Sequence, residues 1–139
     1  MQNPVDERSG IGILLVEDEE TARASLCRML SLKFPGIRLY LAENGRSGLE
    51  LYRRHLPELV ITDINMPQMN GIEMAGAIRA VAPQTQIIVL TAHSEARFRL
   101  DAEEQGIYHY VLKPVDRHEL FAVVGQCLER VDLGHLALP

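Results

Sequence analysis

At 139 residues the chain has the size of one domain, long enough to bury roughly two-thirds of its unfolded surface without a disulfide or structural metal. A net charge of −5 and a pI near 5.5 argue against direct nucleic-acid binding, because neutralising phosphates needs a basic surface and Lys and Arg are scattered here. No apolar run approaches the ~20 residues of a membrane span, and residues 1–10 lack the apolar core of a signal peptide, so a cytoplasmic location is expected.

After the polar lead-in of residues 1–10, Ile11 to Val16 read as a buried strand. The acidic run Glu17-Asp18-Glu19-Glu20 follows, and Thr21 to Lys33 carry Ala22, Leu26, Met29 and Leu30 at helical spacing. Acids at that point favour the positive end of a helix dipole. Pro35-Gly36 stops the helix, and Ile37 to Ala42 form a shorter, more polar strand suited to a sheet edge. Asn44-Gly45 signals a turn, and Gly48 to Leu56 outline a second helix before Pro57.

Leu59 to Thr62 form a third strand that runs directly into Asp63, with Asn65 and Pro67 ending it, since proline has no N–H for a ladder. A third helix carries Ile72, Met74, Ala75, Ile78 and Val81. Gln86 to Thr91 are strand four and Ser94 to Gln105 a charged helix four, closed by Gly106. Tyr108 to Leu112 are strand five, and Asp116 to Val131 are helix five, with Asp116 and Glu119 spaced as a capping box. Residues 132–139 show no clear period and read as a tail or the start of a linker. Cys127 falls on the apolar stripe of helix five and Cys27 flanks that of helix one, so core thiols are expected rather than a redox pair.

Five buried strands alternating with helices predict an α/β fold, a doubly wound five-stranded parallel sheet. Right-handed crossovers favour the order 2-1-3-4-5, with a site beyond the carboxyl ends of strands one and three. Those strand ends are Glu17-Asp18, Asp63, Thr91 and Lys113. Three clustered carboxylates repel unless a cation joins them, and an all-oxygen set favours Mg²⁺ (or Mn²⁺). Lys113 can pair with Asp63 or a phosphoryl oxygen, and Thr91 can donate a hydrogen bond to the same group. With a carboxylate as nucleophile, these are the parts of a phosphoryl-transfer site.

Four stretches carry a family resemblance: Leu14-Leu15-Val16-Glu17-Asp18-Glu19; Ile61-Thr62-Asp63-Ile64-Asn65-Met66-Pro67 with Gly71; Val89-Leu90-Thr91-Ala92; and Tyr110-Val111-Leu112-Lys113-Pro114. Over residues 11–131 the chain resembles the receiver domain of bacterial two-component response regulators, with its flavodoxin-like (βα)5 fold. The resemblance implies that Asp63 accepts a phosphoryl group from a histidine kinase or phosphotransfer protein. It implies that Glu17, Asp18, Asp63 and the Asn65 backbone carbonyl hold Mg²⁺. Thr91 and Lys113 would bind the phosphoryl group, Tyr110 would turn inward as Thr91 moves, and Asn65 and His93 would tune phosphoryl lifetime. The face of helix four, strand five and helix five would be the output, and a homodimer through it is one arrangement. Such a domain is not a turnover enzyme.

Glu17 stands where many members have Asp, and Ile107 where a small residue is usual. A haloacid-dehalogenase-type phosphatase would place its acid pair after strand one. A flavin module would want a Ser/Thr/Gly-rich loop where Glu17 to Glu20 stand. A receiver used only for docking would not need the intact acids, threonine and lysine. The chain is then either a stand-alone regulator or the receiver of a longer protein.

Overall fold

β1 (Gly12–Val16), β3 (Leu59–Asp63) and β4 (Gln86–Thr91) form the centre of one parallel sheet, flanked by β2 (Arg38–Ala42) and β5 (His109–Leu112) in the order 2-1-3-4-5. The computed structural model describes residues 10–92, 98–107 and 109–137. Between the strands run α1 (Glu20–Lys33), α2 (Gly45–His55), α3 (Gly71–Val81) and the described part of α4 (Phe98–Glu104), and α5 (Arg117–Ala137) closes the chain.

Alternation along the central strands divides the apolar residues between two cores. Ile13 and Leu15 of β1, Leu59 and Ile61 of β3, and Ile88 and Leu90 of β4 face α1 and α5, meeting Leu26, Leu30, Leu120, Val124, Cys127 and Leu128. Leu14 and Val16, Val60, and Ile87 and Val89 face the other way, onto Leu49 and Tyr52 of α2, Met74 and Ile78 of α3, and Ala102 of α4. A strand covered on both sides is mostly apolar, which is why β1 and residues 59–61 of β3 read as apolar runs. Each fully buried Leu, Ile or Val contributes about 1.5–3 kcal/mol, so the central strands form the rigid base of the molecule. Ile107 is fully buried and Phe98 packs half-buried against the second core.

The helix starts are held by side chains. Glu19 is the N-cap of α1, accepting from the N–H groups of Thr21 (3.1 Å) and Ala22 (2.6 Å). Those two bonds lower its carboxyl pKa. Asn70 and Glu73 form a reciprocal capping box on α3. At α5 the Asp116 carboxylate accepts from His118 N–H at 3.0 Å, the second helical residue.

Two ends differ from the sequence reading. Leu56 is not the last turn of α2 but its cap, in the left-handed region at φ 49°, because the ring of Pro57 disfavours helical backbone before it. α5 does not stop at Val131 but continues to Ala137. Extending an existing helix costs far less than nucleating one, and no proline intervenes before Pro139. Residues 94–97 of the expected helix four, and Tyr108 of the expected fifth strand, lie outside the described residues.

Cys127 of α5 is fully buried in the first core, and burial pushes its thiol up to about 11. At pH 8 only roughly one thiol in a thousand would then be thiolate, the reactive form. Native protein treated with a thiol reagent at pH 8 is expected to label at Cys27, with Cys127 reacting only in denaturant. Mass spectrometry of the two cysteine-containing peptides reads the result, and equal native labelling would contradict the burial.

Candidate functional site

The register of the sheet decides which side chains meet. Val16 pairs with Thr62 and Asp63 with Leu90, so the residue after β1 lies beside the last residue of β3. Thr91 pairs with Leu112, and Lys113 N–H donates to Thr91 O at 2.8 Å. Glu17, Asp63, Thr91 and Lys113 therefore share one edge, beyond the carboxyl ends of the strands. This is the grouping expected from the sequence, and Asp63 follows β3 rather than β1, against the haloacid-dehalogenase arrangement.

Asp63 is buried, and its two oxygens have different partners. One accepts from the backbone N–H of Ile64 at 2.8 Å, and the other accepts from the ammonium of Lys113. The same ammonium lies 3.7 Å from a Glu17 oxygen. Lys113 is about one-third exposed, so water weakens this attraction without abolishing it. Its peptide bond to Pro114 is cis.

Glu17 is buried, and its second oxygen accepts from Glu19 N–H at 3.0 Å. Arg23 donates to the Glu17 carbonyl at 2.8 Å, tying the start of α1 to the end of β1. Burial pushes the Glu17 carboxyl pKa up. Asp18 and the Asp63 charge add to the rise, while the Glu19 N–H and Lys113 pull it down. Asp18 is exposed. One oxygen from each of Glu17, Asp18 and Asp63 lies within 4.8 Å of the others. Three carboxylates against one ammonium leave excess negative charge, and the all-oxygen donors suit a hard divalent cation.

Thr91 is buried at the end of β4, and its hydroxyl donates to Ala92 O at 3.2 Å. Asn65 is exposed two residues beyond Asp63. Tyr110 stands one strand away, opposite Val89, with its hydroxyl donating to Ile107 O at 2.8 Å and the Arg99 guanidinium 4.7 Å above its ring. His93 lies outside the described residues.

The loop after Asp63 is shaped by Gly71. Its N–H donates to Ile64 O at 2.9 Å, and a Cβ there would stand 2.0 Å from the Asp63 carbonyl oxygen. Thr62 also donates its hydroxyl to that carbonyl, at 2.8 Å. The structural roles of Arg23, Glu19 and Thr62 were not legible from spacing. Each joins a side chain to a backbone atom, a pairing that leaves no side-chain pattern in the sequence.

Comparison with known proteins points one way. A family model described as the response regulator receiver domain matches residues 13–125. The regulatory protein AtoC of Escherichia coli (strain K12) is 37% identical over 119 residues, covering 84% of this chain and 25% of that protein. The probable transcriptional regulatory protein NarL of Mycobacterium tuberculosis is 30% identical over 133 residues, covering 96% of this chain and 61% of that protein. The chain thus spans about a quarter of the one relative and under two-thirds of the other. Among solved structures, a response regulator receiver domain protein from Clostridium thermocellum superposes with a TM-score of 0.82 at 26% identity, covering 88% of this chain and 98% of that one. The N-terminal domain of an uncharacterized protein from Wolinella succinogenes superposes with a TM-score of 0.80 at 32% identity, covering 90% and 98%.

The close approach at Gly71 gives a direct test of the loop. Gly71→Ala forces a methyl into the Asp63 carbonyl, so the loop or the start of α3 must move. Urea unfolding should show a loss of at least about 2 kcal/mol, beyond the cost of an ordinary surface change. An unchanged midpoint would show that the loop does not depend on that contact.

Proposed function

The chain belongs to the response regulator receiver domains of two-component systems, and on that premise we propose that Asp63 is its phosphoacceptor. The observation that carries this reading is the Lys113 ammonium bonded to one Asp63 oxygen inside a cluster of three carboxylates. The phosphoryl group passes from a phosphohistidine of a kinase or phosphotransfer protein to an Asp63 oxygen. A P–N bond breaks as a P–O bond forms, and Asp63 is itself modified rather than turned over.

Glu17, Asp18, Asp63 and the Asn65 carbonyl are the groups proposed to hold Mg²⁺ (or Mn²⁺). When bound, that cation offsets negative charge on the transferring oxygens. Lys113 is placed to follow the charge from the Asp63 carboxylate to the phosphoryl oxygens, and the Thr91 hydroxyl to turn from Ala92 O toward the same group. Tyr110 exchanges its hold on Ile107 for an inward position as Thr91 moves. The face of α4, β5 and α5 reports the change, to a partner or to a second copy of the chain. Asn65 and His93 are proposed to tune the lifetime of the modified state. The absence of a membrane-length apolar helix among the described residues agrees with a cytoplasmic site of action.

Incubation with acetyl phosphate and Mg²⁺ should add one phosphoryl group to the wild-type protein by intact mass, and none to Asp63→Ala. No added mass in wild type, or undiminished mass in the variant, rejects the assignment.

The cation reading has its own test, through pH. The Glu17 carboxyl is raised in the folded protein above its ordinary 4.5, so the fold favours the protonated form. That contribution is complete below the unfolded value and is lost as pH rises through the folded one. At neutral pH the ionised cluster costs stability, and a divalent cation should recover it. Mg²⁺ is therefore expected to raise Tm at pH 7 and to raise it much less below pH 4.5, as calorimetry with and without chelator would show. An equal shift at both pH values, or none at pH 7, counts against cation binding by these acids.

A further inference from the structure

At the other end of the sheet, where β4 and β5 begin, lies a cavity of about 370 Å³ between α3, α5 and the loop after α4. Arg79, Arg130, His109, Gln86 and Gly106 line it, and none of its described lining residues is acidic. Two guanidinium groups and an imidazole face one space, with no carboxylate among the described lining residues.

Arg79 is held in place there. One terminal nitrogen donates to Thr85 O at 3.0 Å. Its remaining nitrogens lie against Gly106, where a Cβ would come within 2.7 and 2.9 Å of them. Gly106 sits at φ +82°, which favours glycine on backbone grounds as well. The guanidinium plane is thus fixed before any ligand arrives, which reduces the entropy lost on binding. Arg130 approaches from α5, and His109 lies half-buried at the start of β5.

We propose that this cavity binds a small oxyanion of the phosphate class, with Arg79 and Arg130 as the charged partners and the His109 ring and Gln86 amide as further donors. Paired guanidinium groups match the oxygens of such an ion, and a half-enclosed site strengthens the attraction over open water. Among the described lining residues, the charged groups beside His109 are Arg79 on α3 and Arg130 on α5. The acid lining the adjoining groove, Glu58, accepts a bond from Gly12 N–H instead. Burial first, and then the Arg130 charge, lower the His109 pKa below its ordinary 6.5. A bound anion would offset both guanidinium charges and move that pKa upward. The six residues of β4 put the cavity roughly 17 Å from Thr91, so the inference is independent of the assignment of Asp63.

The test is a titration of the whole chain with inorganic phosphate, in chelator and at ionic strength fixed with chloride, followed by NMR of the His109 ring and the Gln86 side-chain amide. Saturable shifts at both groups are expected, with a midpoint on the order of 1 mM and a higher His109 pKa at saturation. Arg130→Gln should weaken binding at least about tenfold, Arg130→Lys should weaken it less, and both should leave labelling by acetyl phosphate and Mg²⁺ unchanged. Shifts that never saturate, that chloride alone reproduces, that survive Arg130→Gln, or that appear only around Thr91 and Lys113 would overturn the proposal.

Discussion

The bond between the Lys113 ammonium and the Asp63 carboxylate is the contact on which the charged end of this molecule depends. It joins two strand ends fifty residues apart in the chain, and it lies where three carboxylates are forced together by the sheet. Taking a carboxylate out of water costs several kcal/mol unless a partner compensates it. For Asp63 that compensation comes from Lys113 and the Ile64 N–H together. Glu17 lies 3.7 Å from the same cation, and burial, which outweighs that attraction, raises its pKa. The pocket holds more negative charge than its one ammonium can balance. Such an arrangement is poised for a further cation.

The rest of the fold keeps that pocket from relaxing. Apolar side chains fix β1, β3 and β4 from both faces, so the acids at their ends cannot separate without moving buried strands. Gly71 then brings the loop after β3 back against the Asp63 carbonyl, and the Asn70–Glu73 capping box starts α3 directly beyond it. On the β5 side, Tyr110 bridges the sheet to the chain leaving α4 through Ile107 O, with Arg99 over its ring. A change at Thr91 has only one strand to cross before it reaches this contact. The physical route from the acids to the α4–β5–α5 face is short.

Among the described residues, the two ends of the sheet differ in the charged groups they gather. Carboxylates collect where the strands end, and guanidinium groups and His109 collect where β4 and β5 begin. The net charge of −5 conceals this separation, because a sum over the chain has no geometry. That difference means that cations and anions are drawn to different places on one small domain.

The sequence by itself determined the fold class, the strand order and the grouping of Glu17, Asp18, Asp63, Thr91 and Lys113. It could do so because a strand buried on both faces must be an apolar run, and the first polar residue after such a run marks the strand's exit. Connection rules then leave few ways to order five parallel strands. Some features were beyond it. The extension of α5 to Ala137 is carried by helix propagation rather than by apolar spacing. The Leu56 cap reflects backbone sterics before Pro57. The bonds of Arg23 and Thr62 to backbone carbonyls, and the meeting of Arg79, His109 and Arg130, join residues with no common motif. Only the tertiary structure decided the last of these, the meeting of Arg79, His109 and Arg130, because it depends on distances between segments, and a side-chain pattern specifies which face is buried without specifying what it meets there.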